Sequence, residues 1–268
     1  MCVVNIRKGN MTKIITPVSQ KGGVGKTSTI QNLASVLSEN HTVFLIDFDP
    51  QGNLTQGYGI DPYEDNMPTV LDVLLKRATL ADVAKVLNDN MVVAPANLLL
   101  ANAELNVNQT EGKEWHLKQA IEPLVERVDY ILIDVPPSLG FLTTNALYCS
   151  THYFIPLQLH PYAFYAIDGI EAIVETMNER THGGRSEPIE FLGALITMYD
   201  PRSNLASSIE ELVVNHFNGK TFDTRVPQNI KVAEATSMGE SVITYEPQCK
   251  GAVAYRNFAN EVMARVKK

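Results

Sequence analysis

Residues 19 to 28, SQKGGVGKTS, hold two lysines that bracket a glycine-rich turn, followed by two hydroxyl residues. Gly22, Gly23 and Gly25 leave the backbone free to turn its N–H groups inward, and Lys26 falls where a helix begins. The stretch therefore has the chemistry of a loop that wraps phosphate oxygens, with a helix dipole favouring the anion. It departs from the common GxxxxGK[ST] spacing, because the position five before Gly25 is Gln20, and a second lysine, Lys21, opens the loop. Two sets of carboxylates stand at the ends of apolar runs: Thr42 to Ile46 leads into Asp47-Phe48-Asp49-Pro50-Gln51-Gly52-Asn53, and Tyr130-Ile131-Leu132-Ile133 into Asp134. A carboxylate at a strand tip beside a phosphate loop is placed to organise Mg²⁺, usually through water.

The elements that must position these groups can be read from apolar spacing. An extended run, Lys13 to Val18, precedes the loop; Ile30, Leu33, Ala34 and Leu37 follow it at helical spacing; Thr42 to Ile46 is a β-prone run of the kind buried on both faces. That is one βαβ unit. Residues 69 to 87 predict two short amphipathic helices, 91 to 95 a strand, and 113 to 126 a helix carrying Trp115, Leu117, Ile121 and Leu124. Further strands are expected at Tyr130–Asp134, Tyr153–Gln158, Phe191–Thr197 and Thr221–Pro227, with a helix over Ala166–Met177 and a surface loop over Arg180–Pro188. The expected fold is α/β, a mostly parallel twisted sheet with helices on both faces.

No linker or low-complexity break interrupts the 268 residues, and 45% hydrophobic content is enough for a full core. No apolar run approaches the roughly 18 to 20 residues that span a bilayer, and the N-terminus lacks a signal-peptide core, so a cytoplasmic location is expected. Cys2, Cys149 and Cys249 are odd in number and far apart, which fits reduced thiols rather than a disulfide framework or a paired metal site. A formal net charge of -8 means that any polyanion must be held by a local basic patch. His160 has no partner at a catalytic spacing and is read as structural.

KGGVGKT, DFDPQGN and the strand-Asp-Val-Pro-Pro run at 134 to 137 together resemble the ParA/MinD class of P-loop ATPases with a deviant Walker A loop, its switch I, and its Walker B and switch II. The resemblance covers nearly everything from Lys13 onward, with residues 1–12 a short N-terminal extension and 13–268 one ATPase domain. It implies a P-loop NTPase fold, ATP and Mg²⁺ as ligands, and a homodimer that forms with ATP. The loop residues Lys21, Gly22, Gly23, Val24, Gly25, Lys26, Thr27 and Ser28 would hold the phosphates. Lys26 neutralises the β- and γ-phosphates, Thr27 holds Mg²⁺ with Asp47 and Asp134 organising its surroundings, Asp49 orients the attacking water, and Lys21 acts across the dimer. Met198, Pro227 and Asn229 would line the adenine pocket. Arg202, Arg225 and Lys231 would contact DNA phosphates without reading bases, although the position after Pro227, often arginine in this class, is Gln228 here.

The function so implied is plasmid or chromosome partition, with nonspecific DNA binding, a nucleoid-associated location and a ParB-like centromere-binding partner that stimulates slow hydrolysis. No helix-turn-helix domain is expected before Lys13, and no membrane attachment. The competing reading is a MinD-like membrane-surface regulator, for which the stripe Tyr255, Phe258, Val262 and Val266, ending in Lys267 and Lys268, would supply an amphipathic helix. The stripe is more simply read as the packing face of the last helix of the fold, with a tail too short for a separate anchor. A metabolic or iron–sulfur enzyme on the same fold lacks a cysteine close to switch II.

Overall fold

The computed structural model describes residues 11–104, 112–160, 163–179, 187–202 and 204–267. Cys2, nearly all of the expected N-terminal extension, and residues 180–186 of the expected surface loop lie outside them. Among the described residues eight strands form a single sheet: β1 (Lys13–Pro17), β2 (Val43–Asp47), β3 (Lys85–Asn88), β4 (Met91–Ala94), β5 (Tyr130–Asp134), β6 (His152–Gln158), β7 (Glu190–Tyr199) and β8 (Thr221–Pro227), in the order β3-β4-β2-β5-β1-β6-β7-β8. Every neighbouring pair is parallel except β3 with β4.

Alternation along the strands divides the core. Ile15, Leu45 and Leu132 point to one face, where they pack with Ile30, Leu33 and Leu37 of α1 (Lys26–Leu37) and with the last helix. Ile14, Ile46, Ile131 and Ile133 point to the other, under a cover of short helices. These are α3 (Val70–Leu74), α4 (Leu80–Val83), α5 (His116–Ile121) and α6 (Phe141–Cys149), whereas the short α2 (Asn53–Gly57) packs towards α1. The C-terminal half adds α7 (Ala163–Glu179), α8 (Asn204–His216), α9 (Ile230–Ser237), α10 (Val242–Tyr245) and α11 (Lys250–Arg265).

Residues 69 to 87 depart from expectation. Thr69 and Thr79 each form a capping box, with Asp72 and Asp82, so two short helices do start where the pattern places them. The second ends at Val83, however, because Ala84 turns extended and Lys85–Asn88 becomes an edge strand closing a hairpin onto β4. The Asn88 side chain accepts from Asn90 N–H at 2.9 Å and fixes that turn. The helix expected over 113 to 126 is also broken into a 3₁₀ turn, α5 and a second 3₁₀ turn at Pro123, a residue with no N–H to give to a helix.

Tyr255, Phe258 and Val262 of α11, and Val266 just past its end, are all buried, and the helix packs against β8 and α1. The stripe is therefore a packing face and is not available to a membrane surface. Among the described residues no helix is long and apolar enough to cross a membrane. Phe258 is wholly buried, its ring 4.8 Å from Phe222 and 5.3 Å from Phe154. Phe258→Ala is expected to cost about 3–5 kcal/mol, through the transfer energy of the ring and the cavity left behind. Urea unfolding would measure it, and a loss under ~1 kcal/mol would mean that this end of the helix contributes little.

Candidate nucleotide site

β1 ends at Pro17 in the middle of the sheet, between β5 and β6, and the chain passes from there into the glycine-rich turn and α1. Gly25 caps α1 in the left-handed region (φ +84°), where a Cβ would be strained, and no side chain caps the helix. By contrast, Thr69, Thr79, Asn229 and Ser241 use their side chains to cap α3, α4, α9 and α10. The first N–H groups of α1 are thus left to a ligand with acceptor oxygens.

The turn opens onto a cleft of about 660 Å³ lined by Gly22, Gly23, Gly25, Lys26, Thr27 and Ser28, with Asp49, Gln51, Asn53 and Gln56 on the switch I side, Pro137 from switch II, and Met198 with Ala233, Thr236 and Ser237 opposite. Lys26 is 7% exposed. Burial lowers its pKa, while the carboxylates of Asp134 and Asp49 oppose that shift. A cation this poorly hydrated gains most from a dianionic or trianionic ligand.

Asp47 and Asp134 are register partners on β2 and β5 and both are fully buried. Thr27 Oγ1 donates to Asp134 Oδ2 at 2.6 Å. The other oxygen, Oδ1, is buried with no hydrogen-bond partner. Burial, and then the charge of Asp47, push the Asp134 carboxyl up to about 8. A lone buried carboxylate oxygen beside a threonine hydroxyl at the foot of a phosphate loop is an all-oxygen donor set, and it fits Mg²⁺. Asp47 is spent differently. Its Oδ2 accepts from Thr55 N–H (2.8 Å) and Thr55 Oγ1 (2.7 Å), and its Oδ1 from Asp49 N–H (3.3 Å). Burial pushes it up to about 6 despite those bonds. Thr27 is bonded to Asp134, and Asp47 anchors the start of α2 and the backbone of switch I. Asp49 itself accepts from Gln51 N–H at 3.0 Å and faces the cleft. Lys21 turns away to Gln158, at the end of β6, donating to Oε1 at 3.1 Å.

Residues 12–186 match the AAA domain family. Over 95% of its length the chain is 40% identical to the sporulation initiation inhibitor protein Soj of Bacillus subtilis, covering 99% of that protein. It is also 37% identical to the chromosome partitioning protein ParA of Caulobacter vibrioides, over 96% of each. The chain belongs to the ParA-type family of partition ATPases. Among solved structures, cobyrinic acid a,c-diamide synthase from Mycobacterium smegmatis, with bound ATP analogue and magnesium, superposes with a TM-score of 0.81 over 96% of both chains at 30% identity.

Against that family's expectations, the C-terminal half is brought together only in part. Met198, in the left-handed region at φ +50° and 37% exposed, lines the cleft beside Gly25. Pro227 lines a neighbouring groove of about 860 Å³ between β8 and α11, and Asn229 caps α9 by accepting from Lys231 N–H at 2.9 Å. Ala233, Thr236 and Ser237 of α9, which carry no motif, stand in the cleft wall instead. Each ParA-type DNA-contact candidate is held by a carboxylate of its own chain: Arg202 by Asp200 (2.8 and 2.9 Å), Arg225 by Glu210 (2.6 Å), and Lys231 by Glu234 (2.7 Å). Arg202 is 88% exposed at its side chain, whereas Arg225 is 21% exposed and also bonds the backbone carbonyls of Phe222 and Asp223. Arg202 and Lys231 can exchange partners for a phosphate at little cost; Arg225 cannot.

Proposed function

We propose that this chain is a partition ATPase of a chromosome or plasmid. In this reading it closes as a homodimer on ATP, binds DNA without reading its sequence, and hydrolyses slowly until a ParB-like centromere-binding protein stimulates it. The observation that carries the reading is the cleft, where an uncapped helix start, a poorly hydrated Lys26 and the orphaned Asp134 oxygen converge. The loop N–H groups and Lys26 hold the triphosphate, and Lys26 balances charge on the β- and γ-phosphates. Thr27 and Asp134 would hold Mg²⁺, which supplies further charge neutralisation when bound. Asp49 orients the attacking water, fixed by its bond from Gln51 N–H and by Asp47 behind it. Lys21, parked on Gln158 in the single chain, is free to reach the phosphates of a second copy. Full-length likeness to chromosome-partitioning proteins supports the choice of process, and a nucleoid-associated place in the cytoplasm follows from it.

DNA binding is assigned to Arg202 and Lys231, with Arg225 serving chiefly to hold β8. Filter binding over a salt series, with ATP and Mg²⁺, tests this. The parent should bind unrelated duplexes alike and with a steep salt dependence. Arg202→Ala with Lys231→Ala should weaken all of them together and flatten the salt slope by about 0.9 for each phosphate no longer neutralised, leaving ATP affinity unchanged. An unchanged slope would place the basic patch elsewhere, and an absence of ATP-dependent DNA retention by the parent would overturn the partition reading itself.

A further inference from the structure

Four residues beyond Thr27, and so on the same side of α1, Gln31 is 1% exposed in the interior. Both of its side-chain functions are used. Nε2 donates to the Gly57 carbonyl at the end of α2, and to the Glu240 carbonyl, between α9 and α10, at 3.1 Å. Oε1 lies 3.4 Å from Thr236 Oγ1 of α9, whose one proton is shared with the Val232 carbonyl at 3.0 Å. Its own backbone carbonyl accepts from Tyr58 Oη at 3.0 Å. The neighbouring Asn32 repeats the arrangement, donating to the Ser28 carbonyl (2.7 Å) and accepting from Val242 N–H at the start of α10 (2.8 Å).

The two segments that meet on Gln31 are the two walls of the cleft. α2 contributes Asn53 and Gln56, and is locked through Thr55 to Asp47; α9 contributes Ala233, Thr236 and Ser237. Beside the amide, Gly59 (φ +72°) and Gly239 (φ +75°) bring the two walls into direct backbone contact: a Cβ on Gly239 would lie 2.9 Å from Gly59 Cα and 2.9 Å from its N. A buried amide is costly unless its polar atoms are satisfied, and here Nε2 alone reaches both walls while Oε1 faces α9. An apolar side chain would fill the space without tying the walls together.

We propose that Gln31 is a positioning residue that joins α2 and α9 to the phosphate loop, so that nucleotide binding at the loop is passed to α9. This helix bears Lys231 and, on its exposed side, Ile230. The proposal rests on the nucleotide reading of the cleft, and its test separates the two. Hydrogen exchange would be followed with and without AMPPNP and Mg²⁺. In the parent, exchange should slow both at residues 22 to 30 and at residues 230 to 240. In Gln31→Met, which keeps the bulk and removes the bonds, residues 22 to 30 should still be protected, while protection at 230 to 240 falls roughly fivefold or more. If the loop of the parent does not respond, the nucleotide reading fails. If the loop responds but residues 230 to 240 do not, or if Gln31→Met responds at both as the parent does, the relay alone is overturned. Gly239→Ala, which wedges the walls apart from the far side, should give the same split and carries the test should Gln31→Met fail to fold.

Discussion

Replacing Lys26 by alanine is expected to remove nucleotide binding while leaving the fold intact. Lys26 is already almost buried, and its pKa is lowered by that burial, so most of the cost of drawing the cation out of water is met before the ligand arrives. What remains is a charge-assisted interaction with the phosphates in a cleft that carries Asp49, Asp134 and Asp47 near its floor. Without the lysine, a triphosphate meets an acidic floor, with Asp49 in the cleft wall and Asp47 and Asp134 buried behind it, and only backbone N–H groups offset that charge. Breaking a buried charge pairing of this kind costs about 3–5 kcal/mol, which lowers affinity by roughly two to four orders of magnitude. Calorimetric titration with ATP and Mg²⁺ measures it, and circular dichroism checks the fold. Undiminished affinity in a folded variant would mean that the glycine-rich turn is not the phosphate site.

The loop is legible in the sequence because its chemistry is local: glycines, lysine and hydroxyls lie within ten residues, and the adjacent apolar runs leave the backbone one way to go. Asp134 is legible for the same reason, as a carboxylate ending four apolar residues. Asp47 is legible as a site residue but not in what it touches, since Thr55, eight residues away, intercepts it only because α2 folds back over the strand end. Gln31 gives no signal. In sequence it is a polar position on an amphipathic helix, and its burial depends on Gly57 and Glu240, the second of which is more than two hundred residues distant. β3 is hidden because Lys85 to Leu87 continue a helical spacing, and only the Asn88–Asn90 turn marks the reversal. The ion pairs divide likewise. Asp200 sits two residues from Arg202 and is within reach of it in any turn, whereas Glu210 of α8 meets Arg225 of β8, fifteen residues on, only once the chain is folded.

Asp134→Asn should have opposite effects on the free protein and on its reaction. In the free protein the carboxyl is pushed up to about 8, from an ordinary 3.8, by burial and by the neighbouring Asp47. The folded state therefore holds this proton more tightly than the unfolded chain does. Stability contributed by the site is greatest when the group is protonated, and is lost as pH rises from the unfolded value through about 8. Asp47, pushed up to about 6, acts in the same direction over a lower and narrower window. An asparagine keeps the shape and an acceptor for Thr27 Oγ1 but cannot ionise, so the variant's melting temperature should fall less than the parent's between pH 6 and 8, the range set by these two groups. The same substitution removes the charge at the buried oxygen that fits Mg²⁺. Loss of a carboxylate that orients a bound metal through water typically costs about 10–100-fold in metal affinity or activity, and the Mg²⁺ dependence of ATP hydrolysis should shift by that factor. The two measurements guard each other. A parental pH dependence would mean that Asp134 is not the group holding the proton, and a parental Mg²⁺ requirement in a folded variant would move the metal to other oxygens of the cleft.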